Sequence, residues 1–537
     1  MDADVVIVGA GISGALVADK LASAGVKVLI LEAGPRVDRG SAVTQFYDAL
    51  VKVPECAYSN AAYAQHPRSD NLDFYYVQTG PDRFASTYLR QVGGTTWHWL
   101  GTCLRLVPDD FRLATRFGRG VDWPLDYATL EPWYGAAEHE IGVAGDSAVD
   151  LGSPRSSAYP MPEIAQTFLD RGIAHGFEGT PYEVRSTPQG RNSTERDDRP
   201  PCCGNNSCIP ICPIQAKCDA TVHIARAEKG GANVVAQAVV HRIEVGRDRR
   251  ISAVRYKHPD GSDHRVRAKT FVLAAHAIGS PKLLLMSRGA NAPHGVANSS
   301  DQVGRNLMDH PVQLSWALAR DPLFPYRGPL STSGVENTRA GDWRATRPSF
   351  RIEIGNDGWS WPTGAPISDA QAMARKGLRG DALKHALYER TARQIRFGTL
   401  TEQLPDPANR ITPDPAKRDP LGVPRPRIAY RIDEYTKAGL ADARTIHEAA
   451  FKRLGATDIA HKTDEHFQGA GHVMGTARMG RNAKSAVVDA DLRAFDHRNL
   501  FIEGSAVFPT VGAANPTLTI AALALRSVDA IRASLSN

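Results

Sequence analysis

The 537-residue sequence predicts an α/β fold: a Rossmann-like dinucleotide-binding domain, interrupted by insertions, with a second domain of α+β type. Three observations predict it. A strand–helix–strand pattern opens the chain, glycines punctuate the turn inside it, and short apolar strands recur far downstream at 269–275 and 499–503. A chain of this length exceeds one ordinary hydrophobic core, so it divides into two or more domains.

Residues 4–8 (Asp-Val-Val-Ile-Val) and 26–31 (Val-Lys-Val-Leu-Ile-Leu) have the length and β-branched content of buried strands. Between them, residues 12–24 carry apolar side chains at helical spacing. Gly9, Gly11 and Gly14 fall at the first strand-to-helix turn, and Glu32 follows the second strand, eighteen residues after Gly14. Glycines so placed let the backbone approach a pyrophosphate at a helix N-terminus, and the acid accepts from a ribose hydroxyl. A glycine-rich turn that merely packs a helix on a sheet accounts for the glycines but not for Glu32. Downstream, 269–275 reads as a strand of the same sheet, Gly279-Ser280-Pro281 as a turn with Pro at a helix start, and the Lys-Leu-Leu-Leu-Met that follows as helix. Residues 499–503 read as a strand, and 516 to about 534 as an amphipathic helix. The stretch 311–460, rich in Pro and with Arg-rich helical patches at 370–395, is set apart as the second domain. The expected division is 1–310, 311–460 and 461–537, with the first and last parts forming one domain.

Lys and Arg number 64 against 58 Asp and Glu, a formal charge of +6 that is small for this length. The basic residues are scattered, without aromatics at stacking intervals, which argues against a nucleic-acid surface. No run of about eighteen apolar residues is present to span a bilayer. The N-terminus enters a strand at once, with neither a basic segment nor a cleavage site, and taken alone this reads as a cytoplasmic start.

Further segments occur in a fixed order: Gly93-Gly94-Thr-Thr-Trp-His98-Trp99, Trp123-Pro-Leu-Asp through Glu131-Pro-Trp-Tyr134, Val303-Gly-Arg-Asn-Leu-Met-Asp-His310-Pro, His472-Val-Met-Gly475-Thr476 and Asn515-Pro516. With Gly9-Ala-Gly-Ile-Ser-Gly14 they resemble, nearly end to end, the glucose–methanol–choline (GMC) oxidoreductase family. The resemblance implies an FAD-binding domain of the GMC type, an α+β substrate-binding domain, and oxidation of a CH–OH group by hydride transfer to FAD. It implies a catalytic role for His472, as base for the hydroxyl proton, and for Asn515 at the substrate oxygen; a His near neutral pKa suits the first task. Asn515 is also placed to cap the helix that follows, and that helix would aim its positive end at the flavin. Gly93, Gly94, Gly504 and Thr517 complete the expected cofactor contacts. Val240 is expected against the adenine, although a β-branched strand residue is equally a core residue. His98 occupies the position that some relatives bond to the flavin 8α-methyl; the alternative is a His packed between Trp97 and Trp99. Glu503 stands where many relatives have an Asp, so a role for its side chain is not carried over.

Five of the seven cysteines fall between 202 and 218: Cys202, Cys203, Cys208, Cys212 and Cys218. Soft thiolates at this density suit an iron–sulfur cluster or zinc. Disulfides would require an oxidising compartment. The two short Cys-x2–4-Cys arms usual for zinc are absent. The spacing Cys202-x5-Cys208-x3-Cys212-Pro213 ends like a ferredoxin segment. Within the family this run is similar to that of flavin subunits of membrane-associated bacterial dehydrogenases for glucose, fructose, gluconate, sorbitol and related polyols. That resemblance implies a 3Fe–4S cluster on Cys202, Cys208 and Cys212 within an insertion at about 185–225, with Cys203 and Cys218 as candidates for a fourth ligand. It implies a small chaperone-like subunit, a multihaem cytochrome c subunit, and a place on the periplasmic side of the inner membrane reached through those partners, against the cytoplasmic reading of the bare N-terminus. Two rival readings stand beside this one. The first is a GMC oxidase that reduces oxygen and keeps structural cysteines; the second is a flavin relay or assembly subunit without a substrate.

Overall fold

The computed structural model describes residues 1–462 and 467–536. A five-stranded parallel sheet forms its first layer, in the order Leu500–Ile502, Ala268–Leu273, Ala3–Val8, Val28–Leu31, Asn233–Val235. The near-continuous apolar runs read from the sequence are those of strands covered on both faces. Val5, Val6, Ile7, Ile30 and Val272 are fully buried. Helices Ile12–Ser23, Thr221–Lys229 and Thr517–Ala533 pack together on this layer. The chain thus returns to its first sheet after more than two hundred residues, and again near its end.

One predicted boundary is corrected. Gly279-Ser280-Pro281 is not a turn: the helix starts at His276 and runs to Met286 with Pro281 inside it. Proline in a helix leaves the carbonyl four residues back without its N–H partner. Here that carbonyl belongs to Ala277, and it accepts instead from Thr476 Oγ1 at 2.7 Å. The defect is filled by the segment that carries His472.

The second layer is a seven-stranded sheet in the order Thr457–His461, Pro311–Leu318, Gln394–Thr401, Phe350–Ile354, Ser333–Val335, Val184–Ser186, with Gln468–Gly469 also paired to Pro311–Leu318. Its pairings are antiparallel, so alternate residues face opposite sides. Ile352, Ile354, Ile395 and Phe397 meet Phe451 of helix Glu434–Arg453 in a core of their own. Register places Arg351 beside Leu400 and Glu353 beside Gly398, so the other face carries Arg351, Glu353, Arg396, Gly398 and Leu400. That face looks toward the parallel-sheet layer across a cavity. Strand Val184–Ser186 joins this sheet from ahead of residue 311, while the hairpin Arg410–Ala429 packs on helix His276–Met286 of the first layer. Among the described residues no helix is long and apolar enough to cross a membrane.

Candidate active site and cysteine pocket

A cavity of about 330 Å³ runs between the two layers, from Glu32 and Val240 past Gly11, Gly94 and His98 to His472, Asn515 and Glu353. Its length follows from the glycines. A Cβ on Gly9 would lie 2.4 Å from the Ala274 carbonyl oxygen, and one on Gly14 2.1 Å from that of Gly9. These two glycines bring strand and helix together. A Cβ on Gly11 would meet nothing within 4 Å, and the residue opens on the cavity, as a backbone approached by a pyrophosphate must. Gly93 donates its N–H to Ala10 O at 3.0 Å, and a Cβ on Gly94 would stand 3.1 Å from Gly11 Cα. The segment 93–98 is thereby pressed onto the first turn. Glu32 accepts from the N–H of Ala10 at 2.8 Å and of Gly34 at 2.9 Å while lining the cavity. Burial pushes its carboxyl upward.

His98 lies in the cavity wall, its Nδ1 3.1 Å from the Pro54 carbonyl. A carbonyl only accepts, so Nδ1 carries the proton. Burial lowers the ring's pKa to about 4, so the imidazole is neutral and Nε2 is bare.

The protons of His310 and His472 follow in the same way. His310 Nε2 lies 3.1 Å from Gly512 O, and His310 Nδ1 lies 2.9 Å from His472 Nδ1. His310 therefore donates through Nε2 to the carbonyl. Burial holds its pKa near 4, which leaves Nδ1 as an acceptor. His472 must donate from Nδ1, and its Nε2 is left unprotonated. Burial, the His310 ring and the Arg351 charge hold His472 well below the usual histidine range. Asp309 sets both backbones: its Oδ1 accepts from the N–H of His310 at 2.7 Å and of His472 at 3.0 Å. Ser86 binds Asp309 and accepts from Gly471 N–H at 3.0 Å.

Asn515 does not cap the helix after it, whose N-cap is Pro516 with no side-chain bond. Its Oδ1 accepts from Arg351 Nη1 at 3.3 Å. What Asn515 has left for the cavity is its amide N–H2, a donor suited to an alcohol or alkoxide oxygen. Arg351 is fully buried. Its Nε and Nη2 hold Glu336 Oε1 at 2.9 and 2.7 Å, and the same Nη1 holds Glu353 Oε2 at 3.0 Å. Neither Arg351, Glu336, Glu353 nor His310 was singled out for a role from the sequence. For Arg351 and Glu353, the signal was the alternation of charge in Phe350-Arg351-Ile352-Glu353-Ile354.

The cysteine run folds as a loop fastened at several points. Ser207 N–H donates to Asn205 Oδ1 at 2.7 Å, Cys202 N–H to Asn192 O at 2.8 Å, Tyr58 OH to Pro210 O at 2.6 Å and Arg39 to Cys212 O at 3.0 Å. Cys202, Cys203, Cys208 and Cys212 line one small pocket with Arg191, and all are free thiols. Cys218 is not brought there. It is buried with its Sγ toward Asp219 O, and burial pushes its thiol up to about 11. Among the described residues, the thiols form no group of three whose ligand atoms all lie within 4.8 Å of one another. Zn–S bonds of about 2.3 Å would draw them closer than that, whereas a cluster gives each thiolate its own iron and needs wider spacing. Arg191 is fully buried, and its Nε and Nη1 have no partner among the described residues. Orphaned cationic donors beside thiols fit an anionic thiolate cluster.

The two sites are neighbours. Ile209 lines the large cavity and Cys208 the small pocket. Between them lies Lys217, whose Nζ donates to Cys208 O at 2.7 Å, to Trp97 O at 3.0 Å and to Trp99 O. Its backbone N–H points to Cys212 Sγ at 3.5 Å. Burial lowers its pKa to about 8.

Of the residues expected from sequence, Gly9, Gly11, Glu32, Gly94, His98, Val240, His472, Asn515 and Thr517 line the large cavity. Gly14 and Gly93 stand behind its wall, and Gly504, at φ +85°, turns the chain into Ser505, which does line it. Glu503 accepts from Ser13 Oγ at 3.2 Å and Ser527 Oγ at 2.5 Å, tying the first and last helices.

The GMC oxidoreductase family models match residues 165–312 and 405–524, and an NAD(P)-binding Rossmann-like domain model matches 7–46. The fructose dehydrogenase large subunit of Gluconobacter japonicus is 38% identical over 99% of this chain and 98% of its own length. Paromamine 6'-oxidase of Streptomyces fradiae is 30% identical over 99% and 92%. The fold matches that of formate oxidase with a TM-score of 0.67 at 16% identity, covering 99% and 98% of the two chains.

Proposed function

The chain belongs to the GMC oxidoreductase family, FAD-dependent enzymes acting on CH–OH groups, and we propose that it is a dehydrogenase for a sugar, polyol or sugar acid that exports its electrons through an iron–sulfur cluster. The observation that carries the chemistry is the proton chain Gly512 O, His310, His472, which leaves His472 Nε2 bare in the cavity. His472 Nε2 takes the hydroxyl proton, and Asn515, its own carbonyl held by Arg351, donates to the same oxygen as charge develops on it. Gly11, Gly94, Glu32 and Thr517 would hold FAD, which would supply the hydride acceptor. His98 Nε2, bare and facing the cavity, would be the atom to carry a covalent link to that cofactor.

Cys202, Cys208 and Cys212 would hold a three-iron cluster, with Cys203 the remaining thiol at the same pocket, and the cluster would supply a one-electron acceptor beside the flavin. The likeness to a protein named as a large subunit supports partner subunits; in this reading they are a small chaperone-like one and a multihaem cytochrome c, with a position on the periplasmic face reached through them. A second reading has its own support: a relative at 30% identity is named an oxidase. Anaerobic turnover of a sugar, polyol and sugar-acid panel with a dye acceptor, set against peroxide formation in air, separates the two. Dye reduction with negligible peroxide is expected; peroxide at the rate of substrate oxidation would replace the dehydrogenase with the oxidase.

A further inference from the structure

The substrate end of the cavity holds a carboxylate that the chemistry at His472 and Asn515 does not use. Glu353 lies on the strand Phe350–Ile354, on the face that alternation turns to the cavity, and lines it. One of its oxygens, Oε2, is held by Arg351 Nη1 at 3.0 Å. The other has no hydrogen-bond partner among the described residues and is not sealed from the cavity. Arg351 Nη1 is shared between Glu353 and Asn515, so the Glu353 carboxylate, held by Oε2, and the Asn515 amide are fixed to one guanidinium. Arg351 cannot swing to a ligand, because Glu336 holds its Nε and Nη2. The other guanidinium lining this end, Arg396, is turned onto Asp357 by Nε and Nη2 at 2.9 and 2.7 Å. An acceptor with a charge is therefore presented to the substrate, while the cations beside it are already matched by carboxylates.

We infer that Glu353 is a specificity-determining residue that accepts a hydrogen bond from a substrate hydroxyl or ammonium other than the group being oxidised, and so selects neutral or cationic polyhydroxylated substrates over sugar acids. The inference rests on the dehydrogenase reading and narrows its substrate class. A hydroxyl on a carbon near the reacting one reaches the carboxylate while the reacting oxygen lies between His472 and Asn515. A substrate carboxylate in that place meets a like charge, while the guanidiniums beside it, Arg351 and Arg396, are already held by carboxylates. Arg351 acts through both neighbours and is a positioning residue.

The test compares the holoenzyme with Glu353→Gln and Glu353→Asp over a panel of fructose, sorbitol, an amino sugar and gluconate. Two readouts are taken: anaerobic steady-state kinetics with a dye, and titration of the flavin absorbance under non-turnover conditions with a polyol and a sugar acid. For Glu353→Gln, kcat/KM on neutral substrates should fall by about 10- to 100-fold, as for loss of a hydrogen bond to a charged group. The loss should lie more in KM than in kcat, gluconate should be less affected or improved, and Glu353→Asp should recover part of the loss. Unchanged ratios between neutral and acidic substrates, with flavin content and melting temperature retained, overturn the inference. Absence of turnover by the parent enzyme contradicts the dehydrogenase reading; the titration then still decides, because equal affinity for the polyol in parent and Glu353→Gln overturns the role of Glu353.

Discussion

Two fully buried arginines, Arg351 beside Asn515 and Arg191 beside the cysteines, are solvated in opposite ways. Arg351 meets two carboxylates and an amide oxygen, so its charge is matched by the protein itself. Arg191 spends one nitrogen on Leu100 O, Gln189 Oε1 and Ser331 O, meets no carboxylate among the described residues, and leaves Nε and Nη1 without partners. Lys217 repeats the pattern, its ammonium held only by carbonyls. A buried cation without an anion costs several kcal/mol, so the cysteine pocket is electrostatically incomplete where the catalytic pocket is not. The difference teaches that, under the proposed function, one site needs only its substrate and flavin, while the other would be completed by a further negative group.

The comparison can be broken at either end. The largest effect is expected from His472→Ala, which removes the bare Nε2 without touching either arginine: substrate-driven flavin reduction in stopped flow should slow by about 10²–10⁴-fold. Next comes Arg351→Met, which takes from the buried Glu336 and Glu353 the guanidinium hydrogen-bonded to both and should lower stability by about 3–5 kcal/mol in denaturant titration. Arg191→Met sharpens the contrast. In protein freed of iron it should change stability by only about 1 kcal/mol, since lost bonds to carbonyls offset a relieved charge; in protein as isolated it should reduce iron retention. Lys217→Met should lower the midpoint potential of the iron centre by tens of mV, read by redox titration, because about 30–60 mV corresponds to one pK-sized interaction. The smallest effect concerns pH. Protonation of His472 would abolish its action as base, and its pKa lies well below the usual range. Flavin reduction should therefore stay level as pH falls through 6.5 and decline only further into acid, whereas a decline centred near 6.5 would mean that the base is an unperturbed histidine.

What was legible in the sequence is what depends on local geometry. Gly9, Gly11, Gly14 and Glu32 were readable because a tight turn and a strand end demand those residue types within a few positions. Cys202, Cys208 and Cys212 were readable as a group because one loop carries all three close in sequence and turns them to one pocket. The helix at 276–286 was misjudged at Pro281 because the rescue of Ala277 O comes from Thr476, 199 residues away. Arg351 and Glu353 escaped for a related reason. An apolar–charged alternation ordinarily marks a strand with one face in water, and here a second layer covers the charged face. Only the fold shows that Arg351 reaches Asn515 across 164 residues, and that His310 hands its acceptor nitrogen to His472 across 162.

The account turns on electrons leaving the flavin for the cysteine pocket, and rapid-freeze paramagnetic resonance after mixing oxidised holoenzyme anaerobically with a neutral polyol addresses that step directly. A three-iron signal present before mixing should vanish as the flavin is reduced, and should persist in His472→Ala. No iron signal before mixing, or one that survives full reduction of the flavin, would contradict it.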